Sequence, residues 1–122
     1  MASNQDTTAI GQSAVASGQG AFAAGQGSNA SGEQSMALGR FSQSWGNNAT
    51  AIGNNAVASG FQSIAMGFGA TASAMNAMAQ GSGATASGYA STAQGVQAFA
   101  IGDYSFAAGA GATASEDNAV AI

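Results

Sequence analysis

Glycine recurs every seventh residue along almost the whole chain. From Gly11 the series runs through Gly18, Gly25, Gly32, Gly39, Gly46, Gly53, Gly60 and Gly67. It passes Ala74, resumes from Gly81 to Gly109 and then meets Glu116. No residue is inserted or deleted between steps. With glycine as position 0, position +5 is alanine from Ala9 to Ala121, except at Ser44. Position +3 is always Ala, Ser or Thr, as in Thr7, Ala14 and Ser28. A fixed period of this kind dictates a repeat architecture before anything else is weighed.

The heptad is not that of a coiled coil. A helical seam needs large apolar residues at spacings of three and four, and each glycine would cost a helix about 1 kcal/mol relative to alanine. Collagen needs period three and proline, and the chain has no proline. Positions +3 and +5 are two apart and therefore share one face of a strand. The unit is a strand of about four residues followed by a turn containing glycine. All six charged residues, Asp6, Glu33, Arg40, Asp103, Glu116 and Asp117, fall at positions 0, +1 or +2. Turns of this kind require positive φ, which glycine and asparagine supply; Asn47-Asn48 and Asn54-Asn55 fit. An interior restricted to Ala, Ser and Thr holds two strands close together. Two heptads then close one flattened coil of 14 residues, and successive coils stack as parallel strands. About eight coils at ~4.8 Å make a rod of roughly 40 Å. Residues 9–122 form these repeats, and residues 1–8 a lead-in or partial first coil.

Alternate strands must then face opposite ways, and their outward positions, +4 and +6, differ as expected. One set reads Thr8/Ile10, Phe22/Ala24, Met36/Leu38, Thr50/Ile52, Ile64/Met66, Met78/Gln80, Thr92/Gln94, Phe106/Ala108 and Val120/Ile122, with 13 of 18 apolar. The other reads Val15/Ser17, Asn29/Ser31, Gln43/Trp45, Val57/Ser59, Thr71/Ser73, Thr85/Ser87, Phe99/Ile101 and Thr113/Ser115, with 5 of 16 apolar. One outer face is apolar along the whole rod, so it is expected to be covered, either by another segment of the protein or, the favoured reading, by self-association through that face. The expected interface comprises Ile10, Phe22, Met36, Leu38, Ile52, Ile64, Met66, Met78, Gln80, Gln94, Phe106, Val120 and Ile122. Gln80, Thr92 and Gln94 predict a polar layer within it. The period does not fix the number of chains. Ala74 and Glu116 predict altered turns, and Phe99/Ile101, bulky on the polar face, an irregular coil.

Composition narrows the function. A net charge of −4 with one basic side chain, Arg40, offers nothing to displace counterions from phosphates, so nucleic acid is not an expected partner. An anionic membrane surface is disfavoured for the same reason. No apolar run reaches the ~20 residues of a membrane-spanning helix. Histidine, cysteine and lysine are absent and the carboxylates show no paired spacing, so neither catalysis, a metal site nor a cofactor is expected. Adjacent Glu116 and Asp117 read as a solvated turn. Gly-x-Gly pairs such as Gly18-x-Gly20 and Gly67-x-Gly69 read as turn glycines, since a phosphate cradle needs a following helix. Surface recognition remains. Phe41, Phe61, Phe68, Tyr89 and Tyr104 lie at turn positions, where they either contact a ligand or pack against a neighbouring chain's edge. Trp45, on the polar face, is either an exposed candidate ligand contact or covered by a nearby turn.

Units such as Gln34-Ser35-Met36-Ala37-Leu38-Gly39, Asn48-Ala49-Thr50-Ala51-Ile52-Gly53 and Asn118-Ala119-Val120-Ala121-Ile122 resemble the Ser-Val-Ala-Ile-Gly repeats of trimeric autotransporter adhesin heads, the YadA-like (Hep/Hag) surface proteins of Gram-negative bacteria. The resemblance covers residues 9–122. It implies a left-handed parallel β-roll assembled as a homotrimer, displayed at the cell surface. The stalk and outer-membrane anchor would lie outside these residues. It also implies attachment to host or environmental surfaces, with extracellular-matrix protein such as collagen the leading ligand class. Two other classes fit parts of the pattern. One is a segment of a phage or other extracellular fibre. The other is an ice-binding solenoid, suggested by the Thr71/Ser73, Thr85/Ser87 and Thr113/Ser115 hydroxyls, although Asn29, Gln43, Trp45 and Phe99 interrupt that array.

Overall fold

The computed structural model describes all 122 residues. Seventeen short strands alternate between two parallel sheets. One sheet contains β1 (Thr8–Ile10), β3 (Phe22–Ala24), β5 (Met36–Leu38), β7 (Thr50–Ile52), β9 (Ile64–Met66), β11 (Met78–Gln80), β13 (Thr92–Gln94), β15 (Phe106–Ala108) and β17 (Val120–Ala121). The other contains β2 (Val15–Ala16), β4 (Asn29–Ala30), β6 (Gln43–Ser44), β8 (Val57–Ala58), β10 (Thr71–Ala72), β12 (Thr85–Ala86), β14 (Phe99–Ala100) and β16 (Thr113–Ala114). Within each sheet every residue pairs with the one 14 positions on, as in Thr8 with Phe22 and Val15 with Asn29. The protein is an all-β parallel solenoid with 14-residue coils. At its start Ala2 bridges Ala16, and the Ser3 N–H donates to the Ala16 carbonyl.

The interior is built from the +3 and +5 positions. Alanines from Ala49 to Ala114 form one buried cluster, and Ala16, Ala21, Ala23, Ala30 and Ala37 a second. Between them the interior turns polar. Ser42 Oγ donates to the Gly39 carbonyl at 2.9 Å, and Ser44 Oγ, the one +5 departure, to the Ala49 carbonyl at 2.8 Å. A methyl or hydroxymethyl group is all that fits, so side-chain burial is small. The fold is held chiefly by its backbone ladder, with 90 main-chain hydrogen bonds over 122 residues.

The strands are shorter than the four residues expected, and unequal. On the first sheet the ladder runs through to the glycine, as in Gly25 N–H to the Ile10 carbonyl at 2.8 Å. On the second, in the coils that end at Gly18, Gly32, Gly46, Gly88 and Gly102, two successive N–H groups share one acceptor. Ser17 donates to Ala30 O at 2.9 Å and Gly18 to the same oxygen at 3.5 Å, so the chain curls away sooner.

Each turn spans positions 0 to +3 and, from Gly11 on, is closed by the +3 N–H on the position-0 carbonyl, as in Ala14 to Gly11 at 3.3 Å. Position +2 has positive φ in every turn, between 54° and 71°, while +1 does not. This is the type II pattern. Asn48 and Asn55 occupy +2, as do the second glycines of Gly18-x-Gly20 and Gly67-x-Gly69. The heptad glycine itself is required for two different reasons. After the first sheet's strands its φ lies between 111° and 130°, as at Gly53. After the second sheet's strands φ is not positive, but a Cβ would collide with the next coil; at Gly46 it would lie 2.0 Å from the Gly60 carbonyl oxygen. Ala74 and Glu116 both fall in this second class. Contrary to expectation, the turn at Ala74 keeps the common geometry, with Ala77 N–H bonded to the Ala74 carbonyl at 3.1 Å. Glu116 does likewise through Ala119, also at 3.1 Å.

Candidate functional site: outer faces and turn edges

Register turns each outward position into a straight column. On the first sheet the +4 column carries Phe22, Met36, Ile64, Met78, Phe106 and Val120, and the +6 column Ile10, Leu38, Ile52, Met66, Gln80, Gln94 and Ile122. Twelve of the thirteen residues expected at an interface therefore share one face, and Ile122 follows the last strand directly. None is buried within the chain: Ile10 is 57% and Met66 39% exposed, while the +5 alanines of the same sheet from Ala23 to Ala107 are fully covered. Gln94 Nε2 donates to Gln80 Oε1 at 3.3 Å, and Gln80 Nε2 approaches Met66 Sδ at 3.9 Å. One amide–amide bond thus links the two glutamines along the column.

The second sheet presents mostly hydroxyl and amide groups outward. Trp45 stands on it, 49% exposed. Phe99 and Ile101 are also exposed but do not disturb the coil. Phe99 pairs in register with Thr85 and Thr113, and Ile101 N–H reaches the Ala114 carbonyl at 2.8 Å. The expected irregularity is absent because outward bulk meets no neighbouring strand. Phe99 does separate Thr85 from Thr113, so only Thr71 and Thr85 stand adjacent in that column.

The turns form two edges. On one edge position +1 caps the coil before it. Asn47 Oδ1 accepts from Glu33 N–H at 3.0 Å, Asp103 Oδ1 from Tyr89 N–H at 2.9 Å, and Asp117 Oδ1 from Asp103 N–H at 3.0 Å. All five carboxylates lie on this edge, which we call the carboxylate edge. The opposite, arginine edge carries Arg40, whose guanidinium lies over the Phe41 ring at 4.8 Å. Phe41 in turn covers Gly27, the +2 glycine one coil earlier, where a Cβ would meet its ring at 2.5 Å. The turn aromatics divide between the edges: Phe61, Tyr89 and Tyr104 on the first, Phe41 and Phe68 on the second. Tyr89 and Tyr104 contact edge to face, with ring centroids 5.3 Å apart. All five are exposed. Sequence reasoning placed every charge in a turn but missed that the 14-residue parity sorts the turns too. That signal was available in the same alternation that sorts the sheets.

The surface has one shallow depression, lined by Asp6, Gln19, Gly20, Glu33 and Gln34 without an apolar wall. No three His, Cys, Asp or Glu side chains converge as metal ligands. What the molecule presents is long regular surfaces, suited to contact with something extended.

The family model for the YadA head domain repeat (two copies) matches residues 2–28, 30–56, 58–84, 79–105 and 100–122. The chain belongs to the YadA head-repeat family. Its fold is similar to the crystal structure of the collagen-binding domain of the Yersinia adhesin YadA, with a TM-score of 0.88 and 29% identity, covering 99% of this chain and 68% of that one. No curated protein matches the sequence. As a YadA-type repeat, the heptad is a half-coil of an adhesin head.

Proposed function

We propose that this chain is the head of a surface-displayed bacterial adhesin, that it acts as a homotrimer, and that it binds collagen without catalysing a reaction. The carrying observation is the match along 99% of the chain to the collagen-binding domain of YadA. The apolar outer face supports the assembly. An exposed apolar band running the length of a rod is unstable in water unless covered, and copies of the same rod bring a band of equal length. Three chains around that face point their polar sheets outward, which makes Trp45 the first proposed ligand contact. With only six charged residues per chain, affinity comes from repeated weak contacts added over the three copies. Anchoring at the outer membrane falls to parts of the protein beyond this head.

The test is binding of the purified chain to immobilised triple-helical collagen, with sedimentation of the same sample. A trimer that binds saturably is the expected result. A trimer that ignores collagen refutes the ligand, and a monomer refutes the assembly.

A further inference from the structure

The charges are segregated more strictly than solubility requires. Asp6, Glu33, Asp103, Glu116 and Asp117 stand on one edge, and Arg40, the only basic side chain, stands alone on the other. A coil keeps its two edges a strand apart, so Arg40 has no carboxylate beside it and rests on Phe41 instead. Position +1 of the turns extends the pattern. Rising along the carboxylate edge it reads Gln19, Glu33, Asn47, Phe61, Met75 and Tyr89. Half a coil higher at each step, the arginine edge reads Gln26, Arg40, Asn54, Phe68, Ser82 and Val96. At matching heights amide stands with amide, carboxylate with guanidinium, amide with amide, phenyl with phenyl, and tyrosine with valine. Met75 with Ser82 departs, as does Asp103 with Ala110 one step higher.

We propose that neighbouring protomers meet edge to edge, the carboxylate edge of one against the arginine edge of the next, with Arg40 paired to the neighbour's Glu33. The inference rests on the self-association proposed above and adds which surfaces meet. Copies related by rotation in a closed ring make heterologous contacts, so each edge meets the other kind of edge at the same height. A twofold pair meeting side by side, edge against edge, would instead set like edges together, carboxylates against carboxylates. The half-coil offset is about 2.4 Å, well within side-chain reach. Phe61 and Phe68 then cover each other across the boundary, as do Tyr89 and Val96, and the turn aromatics become assembly contacts. Trp45, on the outward sheet, stays free for ligand.

The chain has no cysteine, which makes the arrangement open to cross-linking. Gln19→Cys and Gln26→Cys lie on opposite edges of one protomer but meet between protomers. Treatment of the double variant with a short bis-maleimide is expected to yield a covalent three-chain ring, and each single variant none. A two-chain product from either single variant, or no cross-link in the double, overturns the proposal. Separately, Arg40→Glu is expected to weaken assembly about tenfold, since three attractive pairs become repulsive, and adding Glu33→Arg to restore it. A native trimer whose double reversal fails to recover overturns the edge pairing alone. A native monomer overturns the assembly beneath it.

Discussion

Alanine at Gly53 and alanine at Gly46 are equivalent changes in a heptad and unequal ones in the coil. Distance alone ranks Gly46→Ala as worse: its Cβ would come within 2.0 Å of the Gly60 carbonyl oxygen, against 2.6 Å from Gly67 for Gly53→Ala. Backbone conformation reverses the order. Gly53 has a φ of 129°, which a residue with a Cβ holds only at a cost of about 1–3 kcal/mol. Its new methyl also pushes on Gly67, whose N–H bonds the Ile52 carbonyl at 2.8 Å, adding about 1 kcal/mol. Gly46 is under no such constraint on φ. Parting the coils there gives up chiefly its long bond to Ala58 at 3.4 Å, about 1 kcal/mol. The chain already makes this adjustment at Ala74, where Ser73 N–H still reaches the Ala86 carbonyl at 3.0 Å. Gly53→Ala should therefore cost about 2 kcal/mol more, a factor of roughly 30 in the folding constant. Urea unfolding followed by circular dichroism at equal chain concentration measures the difference. Equal losses, or the larger loss at Gly46, would refute conformation as the reason for glycine on the arginine edge.

Ala65→Leu should lower stability by about 1–3 kcal/mol or more, because the fully covered Ala65 has only alanines for neighbours in its column; an unchanged melting curve would sink the close-packed interior. Ile52→Asp with Ile64→Asp should leave monomer or unfolded chain, since the assembled face would bury unpaired charge. Sedimentation of an intact trimer would clear that face of any part in assembly. Gln80→Ile with Gln94→Ile should keep the trimer and raise its melting temperature, the amides being exchanged for apolar contact. A trimer lost on that exchange would show that the glutamine column is required for assembly rather than tolerated within it.

The periodic positions were legible in the sequence because one physical demand acts on each of them throughout the chain. Ala9 through Ala121 are small because the sheets nearly touch, and the Met36 and Ile64 columns stay outward because 14-residue register never slips. Glycine was harder to read. Gly53 and Gly46 answer to different demands, conformation at one and close approach at the other, and a letter count merges them. Ala74 therefore looked like a broken turn, although its class requires no positive φ. Phe99 and Ile101 looked disruptive for a related reason. Size is penalised inside the coil and free outside it, and the pattern showed the size without the surroundings. The binding surface is the least legible part. No charged cluster or cavity marks it, and an extended ligand leaves no fixed spacing in the chain that holds it.

The two unlike edges also set the unit by which such a head can change length. Removing one heptad would leave every glycine and alanine in phase, yet exchange the two sheets for everything downstream. Met78 and Phe106 would then point away from the partners, and the Thr-Ala-Ser strands would face them. Removing two heptads changes nothing except the reach of the rod. Any lengthening or shortening compatible with assembly therefore comes in steps of fourteen residues, even though the visible repeat is seven.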